Sequence, residues 1–483
     1  MTGVTLSDVA MSRLRLPVPM AKLQVIHQVA HALATESSAQ TSWWALLRWL
    51  RSLKLESEVL EALAIVALAR GSSILSVAEL RAAIDAPSVL SDVFIGRALG
   101  TPVLVHSWLK SHSGEAPEMY RSPKLMDELS AGMIVPPILK NRLEHLERHS
   151  RKPFLRQWTY EFERQIERNG RGYDGHFGYF GDSHDRGETG HFIARRGHFA
   201  RSAFLRTLAL ASDQWDMPVP VAQAEARYVS PADMSLLPML PGETPIWARS
   251  LHNARPSNAA EAGALAALAL EEVNRNESRV LLHLNLPAQS DSRYQGELEI
   301  VSILASENAF DCQSVFHLHD WLPGRVIVPR TSDLTLRVDR FDGAAVFPTA
   351  TGGNVRPLLL SLFDYFVGYL HSDLAGRMPC LPANHSSDAP LIAIPRRGGA
   401  DLLLSGDTVG ELRYWNWNWR PMHSKEMGGG GGVALALDGD AVQRLINVDG
   451  MRIHQFWRAH VRTRETDYGD WNDETWMGSV GSL

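Results

Sequence analysis

The chain has 483 residues, of which 45% are hydrophobic and 21% charged, with a net charge of −6 and two cysteines. That length allows two or three domains and a core that needs no disulfide staple. Cys312 and Cys380 form no CxxC pair, which excludes a zinc ribbon or disulfide framework, and the negative balance excludes a globally basic nucleic-acid binder.

The N-terminal residues contain no apolar core and no small-residue cleavage site, so no signal peptide is expected. Residues 1–215 read as a helical domain. KLESEVLEALAIVALARG (54–71) carries leucine and alanine at helical spacing and stops at Gly71. SVAELRAAID opens on a capping serine, Ser76. Pro136 and Pro137 interrupt KLMDELSAGMIV, and ILKNRLEHLERH follows. FLRQWTYEFERQIERNG is an amphipathic helix ended by Gly170. A Gly/His-rich loop comes next, and Ala200, Phe204, Leu208 and Ala211 then share one helical face.

Residues 216–250 are proline-rich and read as an extended linker. Residues 251–464 read as an α/β or α+β domain. Asn258 and Glu261 make a capping-box start for a helix to about Val273. RVLLHLNL, SVFHLHD and LTLRVDRF alternate as strands, the second with His317 and His319 on one face. A helix is expected over 357–372 and a last one near 440–460. The first is too short to span a membrane and contains Asp364, so it reads as a core helix. Residues 465–483 hold five acids, two tryptophans and no base, and read as a flexible or docking tail. The fold class is therefore mixed: a mostly α-helical N-terminal part followed by an α/β or α+β C-terminal domain.

Chemistry concentrates in GYDGHFGYFGDSHDRGETGHFIARRGHF (172–199). Asp182, His184 and Asp185, completed by His176 or His191, offer N and O ligands for a divalent metal. The heptamer GDSHDRG resembles the GDxxDRG motif of metal-dependent phosphoprotein phosphatases, and the resemblance implies a metal-bridging aspartate. It covers seven residues; the DxHG motif is not at its spacing upstream, and no GNHE follows. His317 and His319 are similar to the HxH pair of amidohydrolase-like metal sites, which also need His and Asp at later strand ends.

The second half of the stretch is basic. Arg195, Arg196, Arg201 and Arg206 stand without an acid at a helix start, interleaved with Phe192, Phe199 and Phe204. Helix amides, guanidinium forks and aromatic rings together suit a phosphate or single-stranded nucleic acid. The plainer reading pairs these arginines with nearby acids. Gly428–Gly432 lacks the lysine and hydroxyl of a Walker loop and reads as a flexible loop. In YWNWNW, Trp415, Trp417 and Trp419 share one strand face. Either a core strand or a partner surface follows, and Trp471 and Trp476 extend the second reading.

No catalytic constellation is complete. The expectation is an accessory or scaffolding subunit of a bacterial multi-protein assembly, cytoplasmic, with no cofactor and no membrane contact. Other protein subunits are its expected partners, with nucleic acid as a further ligand. Seven of the 48 basic residues are lysine; that arginine bias suits a GC-rich bacterium, with a defence or mobile-element setting as the guess. The alternative is a metal-dependent phosphoesterase or nuclease that uses the Asp/His-rich loop and a divalent metal.

Overall fold

In a computed structural model, the described residues are all except 1–4, 17, 101–106, 121–136, 170–194, 289–290, 307–311, 322–334, 341–346, 349–353, 364–367, 417–430 and 483. The chain is an α+β protein. It divides into a unit of residues 1–237 with 366–372, and a unit of residues 238–365 with 373–483.

The first unit is built from helices: α1 (Leu6–Ser12), α2 (Pro19–Ala34), α3 (Glu36–Ser52), α4 (Glu56–Leu68), α5 (Val77–Ala83), α6 (Val89–Leu99), α7 (Pro137–Ser150), α8 (Phe154–Asn169), α9 (Arg195–Gln214) and α10 (Val219–Ala226). Local chemistry sets several ends. Thr5 and Asp8 close a capping box on α1, and Ser76 caps α5 through the Glu79 amide. Gly100 ends α6 in the left-handed region, where a side chain would be strained. α4 is buried almost all round, and α9 is buried from His198 through Ala211. These two helices form the middle of the unit.

The second unit contains α11 (Ile246–His252), α12 (Ala259–Glu277), β1 (Arg279–Pro287), β2 (Tyr294–Ala305), α13 (Cys312–Trp321), β3 (Leu336–Val338), β4 (Phe347–Pro348), β5 (Asn354–Arg356), β6 (Leu359–Ser361), α14 (Ser372–Ala375), β7 (Cys380–Pro382), β8 (Leu391–Arg396), β9 (Gly399–Leu404), β10 (Asp407–Asn416), β11 (Gly431–Asp438), α15 (Gly439–Ile446), β12 (Arg452–Thr463) and β13 (Asn472–Ser482). The main sheet is antiparallel in the order β13-β12-β2-β1-β11-β10-β9-β8-β3, with β5 and β4 paired off β2. Asn258 caps α12 as its spacing predicts. Ala262, Leu265, Ala266, Ala269 and Val273 then bury one helical stripe against Leu284, Leu286, Leu298, Ile300, Trp415 and Trp457 of the sheet.

Several elements differ from the sequence reading. Residues 216–250 are folded, with α10, α11 and buried Val229, Leu236, Leu237, Met239 and Leu240. Pro218, Pro220 and Pro245 stand at helix starts, where proline lacks only an amide that a first turn leaves unbonded anyway. SVFHLHD lies on α13, not on a strand, so the strand face expected to carry His317 and His319 does not form; the His319 side chain is outside the described residues. The run expected as a helix over 357–372 forms β6 and a 3-10 turn at Tyr369–His371, because a short apolar run between prolines suits either state. The last helix stops at Ile446, Gly450 turns the chain at φ 71°, and β12 follows. Residues 472–482 of the supposed tail are strand β13, paired along its length with β12.

Candidate functional site

The basic start of α9 separates into surface and interior. Arg195 is exposed and lies over the Phe199 ring, 5.6 Å from its centroid. The Arg196 side chain is outside the described residues. Arg201 and Arg206, nearly two and about three turns further on, are buried. Arg206 Nε donates to Glu56 Oε1 at 2.7 Å, and Gln165 donates to the second Glu56 oxygen at 3.3 Å. Arg201 Nε donates to Ser57 Oγ at 2.8 Å, and its guanidinium stacks 3.9 Å from the Tyr369 ring centre. Two of the four arginines expected to hold phosphate are therefore internal partners of α4.

Around Arg201 the interior is densely polar. Lys22 of α2, 1% exposed, donates to both Glu61 oxygens at 2.6 and 2.7 Å. The Tyr369 hydroxyl donates to Glu61 at 2.6 Å. His198 Nδ1 lies 3.0 Å from Ser57 Oγ and 3.1 Å from Arg201 NH2, and its Nε2 lies 3.3 Å from Lys22 Nζ and 3.6 Å from Glu61, so a cationic donor faces each ring nitrogen. Burial, followed by the charges of Lys22 and Arg201, holds the His198 imidazole well below its ordinary pKa. Burial likewise pushes the Tyr369 hydroxyl well above its ordinary value, with the Glu61 charge adding to it. Ser57, His198 and Glu61 have the composition of a hydrolytic triad. However, Glu61 is held by Lys22 and Tyr369, Ser57 accepts from Arg201, and every member is buried. The cluster thus ties α2, α4, α9 and the Tyr369–His371 turn together.

Asp182, His184, Asp185, His176 and His191 lie outside the described residues. Among the described residues no group of three or more His, Cys, Asp or Glu could hold a metal ion. A polar cleft of about 840 Å³ opens at the turn between α7 and α8, lined by Glu115, Glu118, Glu147, Arg151, Lys152 and Arg156. Its acids match its bases in number, and Glu147 already accepts the Leu155 amide at the start of α8.

The tryptophans separate as well. Trp415 is buried, its indole donating to His252 Nε2 at 2.8 Å and meeting Trp247 edge-on at 5.7 Å. Trp415 is thus a core residue, the first of the two readings its strand pattern left open, and not part of a partner interface. A Cβ on Gly432, its cross-strand neighbour, would stand 2.2 Å from the Trp415 ring. The glycine run therefore ends in a strand that leaves space for an indole. Trp417 and Trp419 lie outside the described residues. Trp471 is half-buried beneath the guanidiniums of Arg464 and Arg462, at 4.4 and 5.2 Å. Trp476 is half-buried against the sheet core.

Trp476 belongs to β13, the margin of the sheet. Asn472–Thr475, Met477 and Ser479 are exposed along it, whereas Trp476, Gly478 and Val480 are half-buried toward α12. Charge pairing extends inward from this margin on the other face. Asp473 meets Arg462 at 2.6 Å, and Arg458 bridges Glu299 at 2.6 Å and Asp320 at 2.7 Å. Arg377 meets Glu297 at 3.1 Å. The opposite margin, β3, is three residues long, against eleven for β13. Among the described residues no strand pairs with the outer side of β13. The alternation in NDETWMGSVGS carries this signal in the sequence, under an acidic composition that suggests a tail.

No protein-family model matches this chain, and no curated protein matches it. Among the described residues no helix is long and apolar enough to cross a membrane.

Proposed function

We propose that the protein is a subunit of a multi-protein assembly and joins it by strand addition at β13. The contrast between the two sheet margins carries this reading. Folded proteins blunt a strand edge by shortening, covering or bulging it, or by placing charge or proline on it. β3 is short, whereas β13 has eleven residues without proline, its two charges, Asp473 and Glu474, near one end and its register irregularity beyond Ser479. Amide and carbonyl groups along such an edge supply affinity, and alternate side chains supply selectivity. Half-buried Trp476 and exposed Met477 are the apolar anchors in its middle. Nucleic-acid contact through α9 receives less support, because Arg201 and Arg206 are internal.

A photo-crosslinking residue at Met477, in cells of the source organism, tests the assignment. Leu268, exposed on α12, serves as control. Adducts are expected from position 477 and not from 268, with the captured peptide an extended segment. No adduct at 477, or equal adducts at both, overturns the reading.

A further inference from the structure

Resting on that reading, the inference here concerns which strand occupies the edge. We infer that it is β13 of a second copy, running antiparallel about a two-fold axis through Met477.

Met477 is the midpoint of Asn472–Ser482, and it is 37% exposed. A two-fold perpendicular to the sheet keeps the α12 face of both copies on one side. It sets Thr475 opposite Ser479, Trp476 opposite Gly478 and Met477 opposite its own copy. These residues precede the irregularity in the β12–β13 register beyond Ser479.

Charge selects the direction. Asp473 and Glu474 lie at one end of the strand, and the other end, GSVGS, carries no charge. Antiparallel order places the acids of each copy beside the neutral end of the other. Parallel order would set acid against acid, and like charges directly opposite destabilise a strand pair.

Size selects the register. Trp457 is the β12 partner of Gly478, and its indole lies 2.7–2.8 Å from where a Gly478 Cβ would stand. In the proposed register Trp476 of the second copy stands beside that glycine, where no side chain intervenes, and meets the Trp457 indole. Offset or edge-on indole pairs contribute about 0.5–1.5 kcal/mol beyond the area they bury. The contact is isologous, so both copies lose their edge and the assembly closes as a dimer rather than growing into a fibre.

The test uses the full chain, with native mass spectrometry and sedimentation equilibrium over a concentration series. Wild type is expected to dimerise. Met477→Lys brings two ammonium groups together across the axis, at a Cβ separation of about 5 Å. It should weaken dimerisation at least tenfold with an unchanged circular dichroism spectrum. Met477→Asp should do the same, and an equimolar mixture of the two variants should recover a heterodimer. A dimer that survives both substitutions uses another face and overturns the inference. If wild type is monomeric while position 477 cross-links a different protein in cells, this inference fails and the assembly reading stands. If it is monomeric and position 477 captures nothing, both fail.

Discussion

Lys22 shows most directly what individual residues contribute. Its ammonium is buried beside Glu61, and burial lowers its pKa against the pull of that carboxylate. Breaking a buried pair costs more than removing it, because the remaining charge keeps its desolvation penalty. Lys22→Met is therefore expected to destabilise the helical unit by about 3–5 kcal/mol. Lys22→Met with Glu61→Leu should recover part of that loss in denaturant unfolding. A double variant no more stable than the single would show that the pair does not act as a unit. Gly432 makes a second residue-scale case. A methyl there would overlap the Trp415 ring, so Gly432→Ala should cost about 1–3 kcal/mol, read as a lowered melting temperature. Neither environment was legible in the sequence. The run HFARSAFLR shows that Arg201 and Arg206 share a helix with Phe204, but not that Glu56 and Ser57, far away in the chain, would meet them. Basic residues at a helix start suggest an anion, and nothing local reveals that the anion is a buried glutamate of α4.

At the scale of elements, strong periodicity and caps were readable, and short mixed runs were not. α12 starts at the capping Asn258 and buries the stripe its spacing predicts. SVFHLHD fits two periods, and it took the helical one with Val315 and Phe316 buried. β13 was hidden by composition, because five acids in nineteen residues outweigh an alternation that only pairing with β12 makes useful. Its exposed edge has a measurable signature. In an edge strand every second amide bonds to the neighbouring strand and the others face outward. In a monomeric Met477→Lys variant, hydrogen exchange over residues 475–479 should alternate between slow and fast, while β12 stays slow throughout. In the wild-type dimer the outward amides should slow as well. Uniformly fast exchange in both proteins would show that β13 is frayed and unsuited to strand addition.

The histidines give the whole molecule an acid limit, and its two units respond differently. In the C-terminal unit His252 donates from Nδ1 to the Pro287 carbonyl and accepts at Nε2 from Trp415, so it must be neutral. Burial depresses it to about 4, and burial also lowers His385, His454 and His460. An unfolded histidine takes up its proton near pH 6.5, where these folded ones do not. The stability His252 confers is therefore complete above about pH 7 and is lost as pH falls from 6.5 toward 4, at up to about 1.4 kcal/mol per pH unit, and the other three act in the same direction. In this unit burial raises the Glu411 carboxyl, but Arg413 and Arg279 outweigh it and hold the pKa below the ordinary value, so its contribution is lost in the same direction at lower pH. In the helical unit His198 acts the same way, but burial raises the Glu56 and Glu58 carboxyls, and those groups lose stability as pH rises from 4.5. Acid sensitivity should thus be steeper in the C-terminal unit. His252→Gln keeps one donor and one acceptor and removes the titration, so it should flatten the C-terminal melting profile between pH 6.5 and 4. The loss it spares is on the order of 3 kcal/mol at pH 4. Melting curves of wild type and variant, resolved by unit through hydrogen exchange, make the comparison. Parallel profiles for the two proteins would show that His252 carries no part of the acid response.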